Sequence, residues 1–234
     1  MTSLVSLEPF MFTFDKVSGL LAPKPKEETI IIEEETNEFG NNLLKPKDKD
    51  SLFWGFIICK YGIVDYSLFP SRNLLTEKKL KIEYVERIKK EKTLFKPYKF
   101  ITLTSLEEDL VSKETISLAT LFALCILGHI NIMYIKKRTF YELQMNDTST
   151  LYLVQQLHTQ PLEYGFTVIN TGDMKEVREK YYLLDNLAKP LKAISSYKTE
   201  EISEIAKKLK LKDDKKETKK DLYDKIRVYL GMDL

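Results

Sequence analysis

The 234-residue chain has few of the residues on which several classes of functional site depend. It contains two histidines and two cysteines, and both cysteines, Cys59 and Cys125, stand inside apolar runs. Thiols in such runs are typical of a buried core, which argues against a disulfide scaffold or a zinc site and fits a reducing compartment. Only eight glycines are present, and no glycine-rich phosphate loop occurs. We therefore expect no metal, no cofactor and no nucleotide hydrolysis.

The chain also lacks an excess of charge of one sign and a long uninterrupted apolar run. Its 37 Lys and Arg against 35 Asp and Glu leave a formal net charge of +2, so any attraction to nucleic acid must be local. The longest apolar run, residues 118–135, is interrupted by Gly128, His129 and Asn131, and residues 1–14 contain no basic leader. We expect neither a membrane span nor a signal peptide.

Composition along the chain predicts three parts. Residues 10–15 alternate apolar with polar side chains, and residues 23–50 are rich in charge and proline, so residues 1–47 are predicted to be an N-terminal arm and flexible linker. Residues 48–185 form the predicted body. Residues 186–234 form a predicted small C-terminal module. A chain of 234 residues is long enough for one sizeable core and one small appendage of this kind.

Apolar periodicity predicts the elements of the body. Helical patterns cover residues 51–61, 76–92, 105–112 and 117–127. Strand patterns cover residues 131–135, 139–143, 151–155 and 164–169. Asp50 or Ser51 is expected to cap the first helix, and residues 136–138 to turn between the first two strands. Helices first and strands after predict an α+β fold with helices packed on a mainly antiparallel sheet.

The last forty residues predict two short helices joined by a lysine-rich connection. Each has one apolar stripe that needs a partner, and the two stripes most simply cover each other. The stripe residues are Ile202, Ile205, Ala206 and Leu209 in the first helix, and Leu222, Tyr223, Ile226 and Leu230 in the second. Ser195 or Ser196 is expected to cap the first helix.

Residues 195–230 resemble a SAP-type helix, extended loop and helix. The resemblance depends on the polar start of the first helix, the lysine-rich connection and the segment TKKDLYDKI at residues 218–226. It implies that the lysines contact a phosphate backbone, while a solvated surface without a partner is the alternative. The candidate nucleic-acid-binding residues are Lys207, Lys208, Lys210, Lys212, Lys215, Lys216, Lys219 and Lys220.

Residues 48–54, DKDSLFW, resemble the D-G-N-C-L-F start of OTU-like cysteine proteases, and residues 116–135 are similar to the helix and strand that follow in that fold. In the family, a cysteine at a helix N-terminus is held as a thiolate by the helix dipole and an imidazolium. Here Ser51 stands at that position, and no histidine occurs at residues 164–169, where the family has one. The resemblance implies a papain-like or OTU-like body with an inactive site.

Ser51, Cys59 and His158 are the candidate catalytic residues. A serine hydroxyl needs a positioned base and an orienting carboxylate, and no spacing in the chain demands that His158 and a carboxylate serve Ser51. Cys59 follows Ser51 by two helical turns and is expected deeper in the core. His158 lies in a polar loop and His129 in a helix-to-strand turn, where solvated and structural roles are expected. We expect no catalysis, with an OTU-like peptidase as an alternative.

The overall pattern resembles uncharacterised proteins of large cytoplasmic DNA viruses, in which a body with SLFW and NIMYIKKRTFYEL precedes a lysine-rich helix pair. The resemblance implies a virion structural or assembly protein, such as a minor capsid protein, that binds other viral proteins through its body and arm. It also implies a location in the virion and in the host cytoplasm or virus factory. The alternative is a nucleic-acid-binding accessory factor in viral transcription or genome packaging.

Overall fold

The computed structural model describes most of the chain beyond residue 32. The described ranges are 33–36, 42–69, 73–98, 101–147, 150–157, 162–187, 189–211 and 217–232. The segments at residues 10–15 and 23–28, on which the predicted arm depends, lie outside the described residues. All described residues belong to one compact unit, residues 32–234, and the domain boundaries at 47 and 185 stay predictions.

Helices and strands come in groups along the described chain, with two strands and five helices before the four central strands. In chain order they are β1 (Glu33–Thr36), β2 (Asn42–Lys45), α1 (Ser51–Tyr61), α2 (Ile63–Leu68), α3 (Leu74–Lys90), α4 (Leu103–Val111), α5 (Leu118–Gly128), β3 (Ile132–Lys136), β4 (Thr139–Leu143), β5 (Tyr152–Gln156), β6 (Tyr164–Val168), α6 (Thr171–Lys180), β7 (Tyr182–Leu183), α7 (Thr199–Lys208) and α8 (Lys219–Tyr229). Short 3₁₀-helices cover Lys92–Phe95 and Ile194–Ser196.

The described strands form one sheet in the order β1-β2-β6-β5-β3-β4-β7. The pairs β1–β2, β2–β6, β5–β6 and β3–β4 are antiparallel, whereas β3–β5 and β4–β7 are parallel. The sheet is therefore mixed, with antiparallel pairings in the majority. Helices packed on this sheet confirm the α+β class.

Helices cover both faces of the sheet. Val177 of α6 packs on the face that carries Met133, Ile135 and Leu153. The opposite face meets α1 and α5, where the ring of Phe122 lies edge-on to Tyr141 at 4.9 Å between centroids. β3 is buried on both faces over residues 132–135, and its sequence there is continuously apolar. β4 and β5 also carry polar side chains, because Glu142, Gln155 and Gln156 are only half-buried.

Helix α1 is the most deeply buried helix of the body, with residues 51–59 all buried. It approaches β6 so closely that a Cβ added to Gly55 would lie 2.0 Å from ring atoms of Phe166. The glycine is therefore required by contact with the sheet. This close approach brings the N-terminus of α1, where the candidate nucleophile stands, into the interior.

The structure contains elements that the sequence pattern did not predict, namely β1, β2, α2, α6 and β7. β1 and β2 lie within the segment predicted to be a flexible linker, where Leu43 is buried against Gly165 of β6 and fixes the strand on the sheet. Helix α6 was not predicted, because Val177 is its one fully buried residue and a single apolar position leaves no helical period.

Candidate functional sites

The N-terminus of α1 is built around Asp50. Its Oδ1 accepts a hydrogen bond from the amide of Phe53 at 3.1 Å, which makes Asp50 the N-cap and confirms one of the two expected caps. Its Oδ2 accepts a second hydrogen bond from the amide of Ile116 at 3.0 Å. Asp50 thereby joins the start of α1 to the segment that leads into α5.

Asp50 also belongs to a buried ion cluster with Lys81 and Glu77 of α3. Lys81 Nζ lies 2.6 Å from Asp50 Oδ2 and 2.7 Å from Glu77 Oε1, and the indole N–H of Trp54 donates to Glu77 Oε2 at 2.9 Å. Asp50, Lys81 and Glu77 are 0, 2 and 7 % exposed. The cluster binds α1 to α3 through charges that water does not reach.

Burial and ion pairing oppose each other at Asp50. Loss of solvent raises the pKa of this carboxyl, and the nearby Lys81 ammonium offsets part of the rise. The two carboxyl groups of Asp50 and Glu77 share the one ammonium group of Lys81. Its remaining lone pairs are satisfied by the amides of Phe53 and Ile116 and by the indole of Trp54.

The apolar pattern of α3 predicts a thin buried stripe of Leu80, Ile82, Val85 and Ile88, which leaves the charged residues of this helix on the solvated side. The structure buries Val85 and Ile88 of that stripe together with Glu77, Lys81 and Tyr84, and leaves Ile82 49 % exposed. These five buried positions have the i, i+4, i+7, i+8, i+11 spacing of one helix face. That spacing is visible in the sequence once charged residues are allowed on the buried side.

The candidate catalytic residues are not assembled by the described part of the chain. Ser51 is buried at the first position of α1, next to Asp50, whose carboxylate is already committed to Lys81 and two amides. Cys59 and Cys125 are both buried free thiols, and burial raises the pKa of each. His158 lies outside the described residues. His129 is exposed and adopts the left-handed conformation that ends α5, in keeping with its expected structural role.

The two C-terminal helices cover each other as expected from their stripes. Their shared core contains Ile202, Ile205, Ala206, Leu209, Leu222 and Ile226. Leu191 joins this core, and Tyr182 of β7 packs against it, so the helix pair rests on the edge of the sheet. Thr218 caps α8 as part of a capping box with Asp221. The expectation that Ser195 or Ser196 caps α7 is wrong: both lie in a 3₁₀-helix, and Lys198 is the N-cap.

The eight candidate nucleic-acid-binding lysines divide into three groups. Lys207, Lys210 and Lys220 are exposed, and Lys208 is half-buried. Lys219 is half-buried and donates from Nζ to the carbonyl of Tyr197 at 2.6 Å, so its ammonium is already used within the protein. Lys212, Lys215 and Lys216 lie outside the described residues.

An apolar surface, here named the α2–α3 surface, consists of Val64, Leu68, Leu74 and Leu75. Leu68 and Leu75 are 70 and 77 % exposed. Both sides of the surface converge on Trp54, because the ring of Phe69 lies 5.8 Å from the Trp54 ring and Glu77 accepts the Trp54 indole hydrogen bond. A cleft of about 160 Å³, which includes Phe69, Leu80 and Tyr84 in its lining, lies beside it. Several exposed apolar side chains on consecutive helices are typical of a binding surface.

Within the described ranges, no group of three or more His, Cys, Asp or Glu residues is arranged to hold a metal ion. The helices in the described part of the chain are all too short or too polar to cross a membrane. Comparisons of the chain with protein-family models, with curated proteins and with solved structures found no match.

Proposed function

We propose that this protein is a non-catalytic structural or assembly protein of a large DNA virus that binds other proteins through its body. The viral context comes from the sequence resemblance, and the protein-binding role is carried by the α2–α3 surface. An OTU-like ancestry of the body and a SAP-like identity of the helix pair belong to the same proposal.

The non-catalytic part of the proposal is supported by the arrangement around Ser51. A nucleophile needs an open approach for substrate and a base within hydrogen-bond reach. Ser51 is buried, and the carboxylate next to it is held in an ion pair with Lys81. The helix start that resembles a protease nucleophile site therefore serves to fasten α1 to α3.

A fluorescent electrophilic probe for serine and cysteine hydrolases tests this part. We expect no labelling of the intact protein, because Ser51 is enclosed and burial raises the thiol pKa of Cys59. Labelling that disappears in a Ser51→Ala or Cys59→Ala variant would support the peptidase alternative instead.

The protein-binding part is supported by the position of the exposed leucines. Val64 and Leu68 are four residues apart on one face of α2, and Leu74 and Leu75 open α3. Burying four such side chains against a partner would supply about 1.5–3 kcal/mol for each side chain fully removed from water. Charged substitutions there should abolish binding without disturbing the core.

Incorporation into purified virus particles is the direct test. We expect the double variant Leu68→Glu and Leu75→Glu to be incorporated at least tenfold less than the wild type, measured by quantitative mass spectrometry. The matched control is Val111→Glu with Leu162→Glu, two residues that are about half exposed elsewhere on the body. Equal incorporation of both double variants and the wild type would contradict the proposal.

The second candidate function is nucleic-acid binding by the helix pair. It is favoured by the exposure of Lys207 and Lys220 on two helices held in a fixed arrangement by their own core, and of Lys210 just beyond the end of α7. A fluorescence-anisotropy titration of the whole protein against a short DNA duplex, over a salt series, tests it. Binding through phosphates weakens linearly in log salt, whereas salt-independent or absent binding would exclude this candidate.

A further inference from the structure

The turn between β3 and β4 adds three basic residues to the edge of the helix pair. Lys136 and Lys137 are exposed, and Arg138 is half-buried. The guanidinium of Arg138 donates from Nε to the carbonyl of Lys208 at 2.8 Å, and Lys137 Nζ lies 4.9 Å from the ring centre of Tyr229. The turn therefore touches the C-terminal ends of both α7 and α8.

Arg138 has a positioning role at this junction. Besides its bond to Lys208, its second guanidinium nitrogen donates to the carbonyl of Lys180 at 3.1 Å. These two carbonyls belong to the last residues of α7 and α6, where helix dipoles place partial negative charge. One guanidinium thus satisfies two helix ends and fixes the turn against them, which removes negative potential from a surface that carries lysines.

Five lysines lie on the two sides of this junction, in the turn and at the end of α7. Lys136 and Lys137 come from the turn, and Lys207, Lys208 and Lys210 come from the end of α7. No carboxylate of the described residues lies within ion-pair distance of any of them, whereas Lys113 and Lys180 are each paired with a carboxylate one helical turn away. The turn and the end of α7 therefore carry five lysines without an ion-pair partner among the described residues, although Glu201 and Glu204 line a cleft together with Lys208 and the whole chain is nearly neutral.

We propose that these five lysines form one turn–helix basic surface that binds the phosphate backbone of a nucleic acid. The proposal rests on the second candidate function, which is nucleic-acid binding by the helix pair. It adds phosphate contacts from the β3–β4 turn of the sheet to those of the lysine-rich connection. Lys219 is among the predicted contacts, but its ammonium donates to the carbonyl of Tyr197. Lys136 and Lys137, predicted only as part of a turn, take up phosphate contacts on the β3–β4 hairpin.

The test uses the full-length protein with Lys136→Gln and Lys137→Gln combined. Each lysine that neutralises one phosphate of duplex DNA contributes about 0.9 to the slope of log affinity against log salt. Loss of two contacts should lower the slope by about 1.8 and, near 0.1 M salt, weaken binding about 60-fold. The readout is fluorescence anisotropy with a DNA duplex and, in parallel, a single-stranded RNA of the same length, which decides between the two nucleic acids.

The matched control is Lys78→Gln with Lys79→Gln, an adjacent exposed lysine pair on α3 that carries the same charge change. We expect its slope and affinity to equal those of the wild type. A third variant, in which Lys207, Lys208 and Lys210 are changed to Gln, tests the helix pair itself. Circular dichroism melting checks that every variant is folded.

The outcomes separate this inference from the function on which it rests. If the turn variant binds like the α3 control while the helix variant is weakened, the turn–helix surface is refuted and nucleic-acid binding by the helix pair stands. If the wild type binds neither DNA nor RNA, both are refuted. Lower affinity and a smaller salt slope in the turn variant, with both unchanged in the α3 control, support the inference.

Discussion

Replacing Lys81 with methionine tests whether the buried ion cluster stabilises the body. Methionine keeps most of the aliphatic length of lysine but has no charge, so Asp50 and Glu77 lose their common partner. Removing one member of a buried pair generally costs about 3–5 kcal/mol, because the remaining charge stays away from water. Here the carboxylates keep hydrogen bonds from Phe53, Ile116 and Trp54, which places the expected loss at the lower end.

We therefore expect Lys81→Met to lower the free energy of unfolding by about 3 kcal/mol, and Tm by about 6–12 °C for a chain of this size. Urea unfolding followed by circular dichroism measures it. The matched control is Lys89→Met, two turns further along α3, where Lys89 pairs with Glu107 at 3.0 Å and both side chains are exposed. A surface pair of this kind should cost less than about 1 kcal/mol.

The pH dependence gives a second readout with a defined sign. The pKa of Asp50 is already raised above its ordinary 3.8 by burial, and loss of Lys81 removes the main effect that lowers it. The folded variant then takes up a proton at a higher pH than the unfolded chain does. Its stability deficit relative to the wild type should be largest at neutral pH and should shrink as the pH falls toward 3.8.

Two results would refute this account of the cluster. One is a loss of unfolding free energy for Lys81→Met that is no larger than the loss for Lys89→Met, because the buried cluster would then stabilise the protein no more than the exposed ion pair does. The other is a difference in unfolding free energy between the variant and the wild type that stays constant between neutral pH and pH 4. The destabilisation would then not come from an ionised Asp50 carboxylate without its partner.

Three further changes test other contacts. Gly55→Ala should destabilise the protein by about 1–3 kcal/mol in urea unfolding, because its Cβ would clash with Phe166; a gain of about 1 kcal/mol would show that helix propensity dominates instead. Thr218→Ala should cost about 0.5–2 kcal/mol and speed amide hydrogen exchange in the first turn of α8, and unchanged exchange would refute its capping role. Arg138→Lys keeps the charge but cannot hold both carbonyls, so exchange should rise at the end of α7 near Lys208; protection equal to wild type would contradict the positioning role.

Local pattern was sufficient for much of the secondary structure. The four predicted strands and the helices around residues 51–61 and 117–127 match the structure to within two residues at each end, and the two C-terminal stripes form one shared core. These segments are strongly apolar or strongly periodic, so burial of their side chains determines their conformation. Weakly periodic segments such as α6 and β2 were missed because they take their order from contacts with the sheet.

The candidate sites show the same division more sharply. The sequence supplied Asp50 as a cap, the buried thiols and the exposed Lys207 of α7, since these follow from side-chain type and position within one element. It did not supply the ion pair between Asp50 and Lys81, residues that are distant in the chain and meet only when α1 and α3 pack.

By itself the sequence determined the strongly periodic and strongly apolar helices and strands, such as α1, α5, β3 and β4, because their conformation depends on neighbours a few residues apart. Only the tertiary structure decided that Lys81 is buried between two carboxylates and that the β3–β4 turn meets the end of α7 through Arg138. From sequence alone a charged side chain is predicted to be exposed to solvent. It can be buried only where the fold places an opposite charge or a carbonyl beside it, and those partners are distant in the sequence.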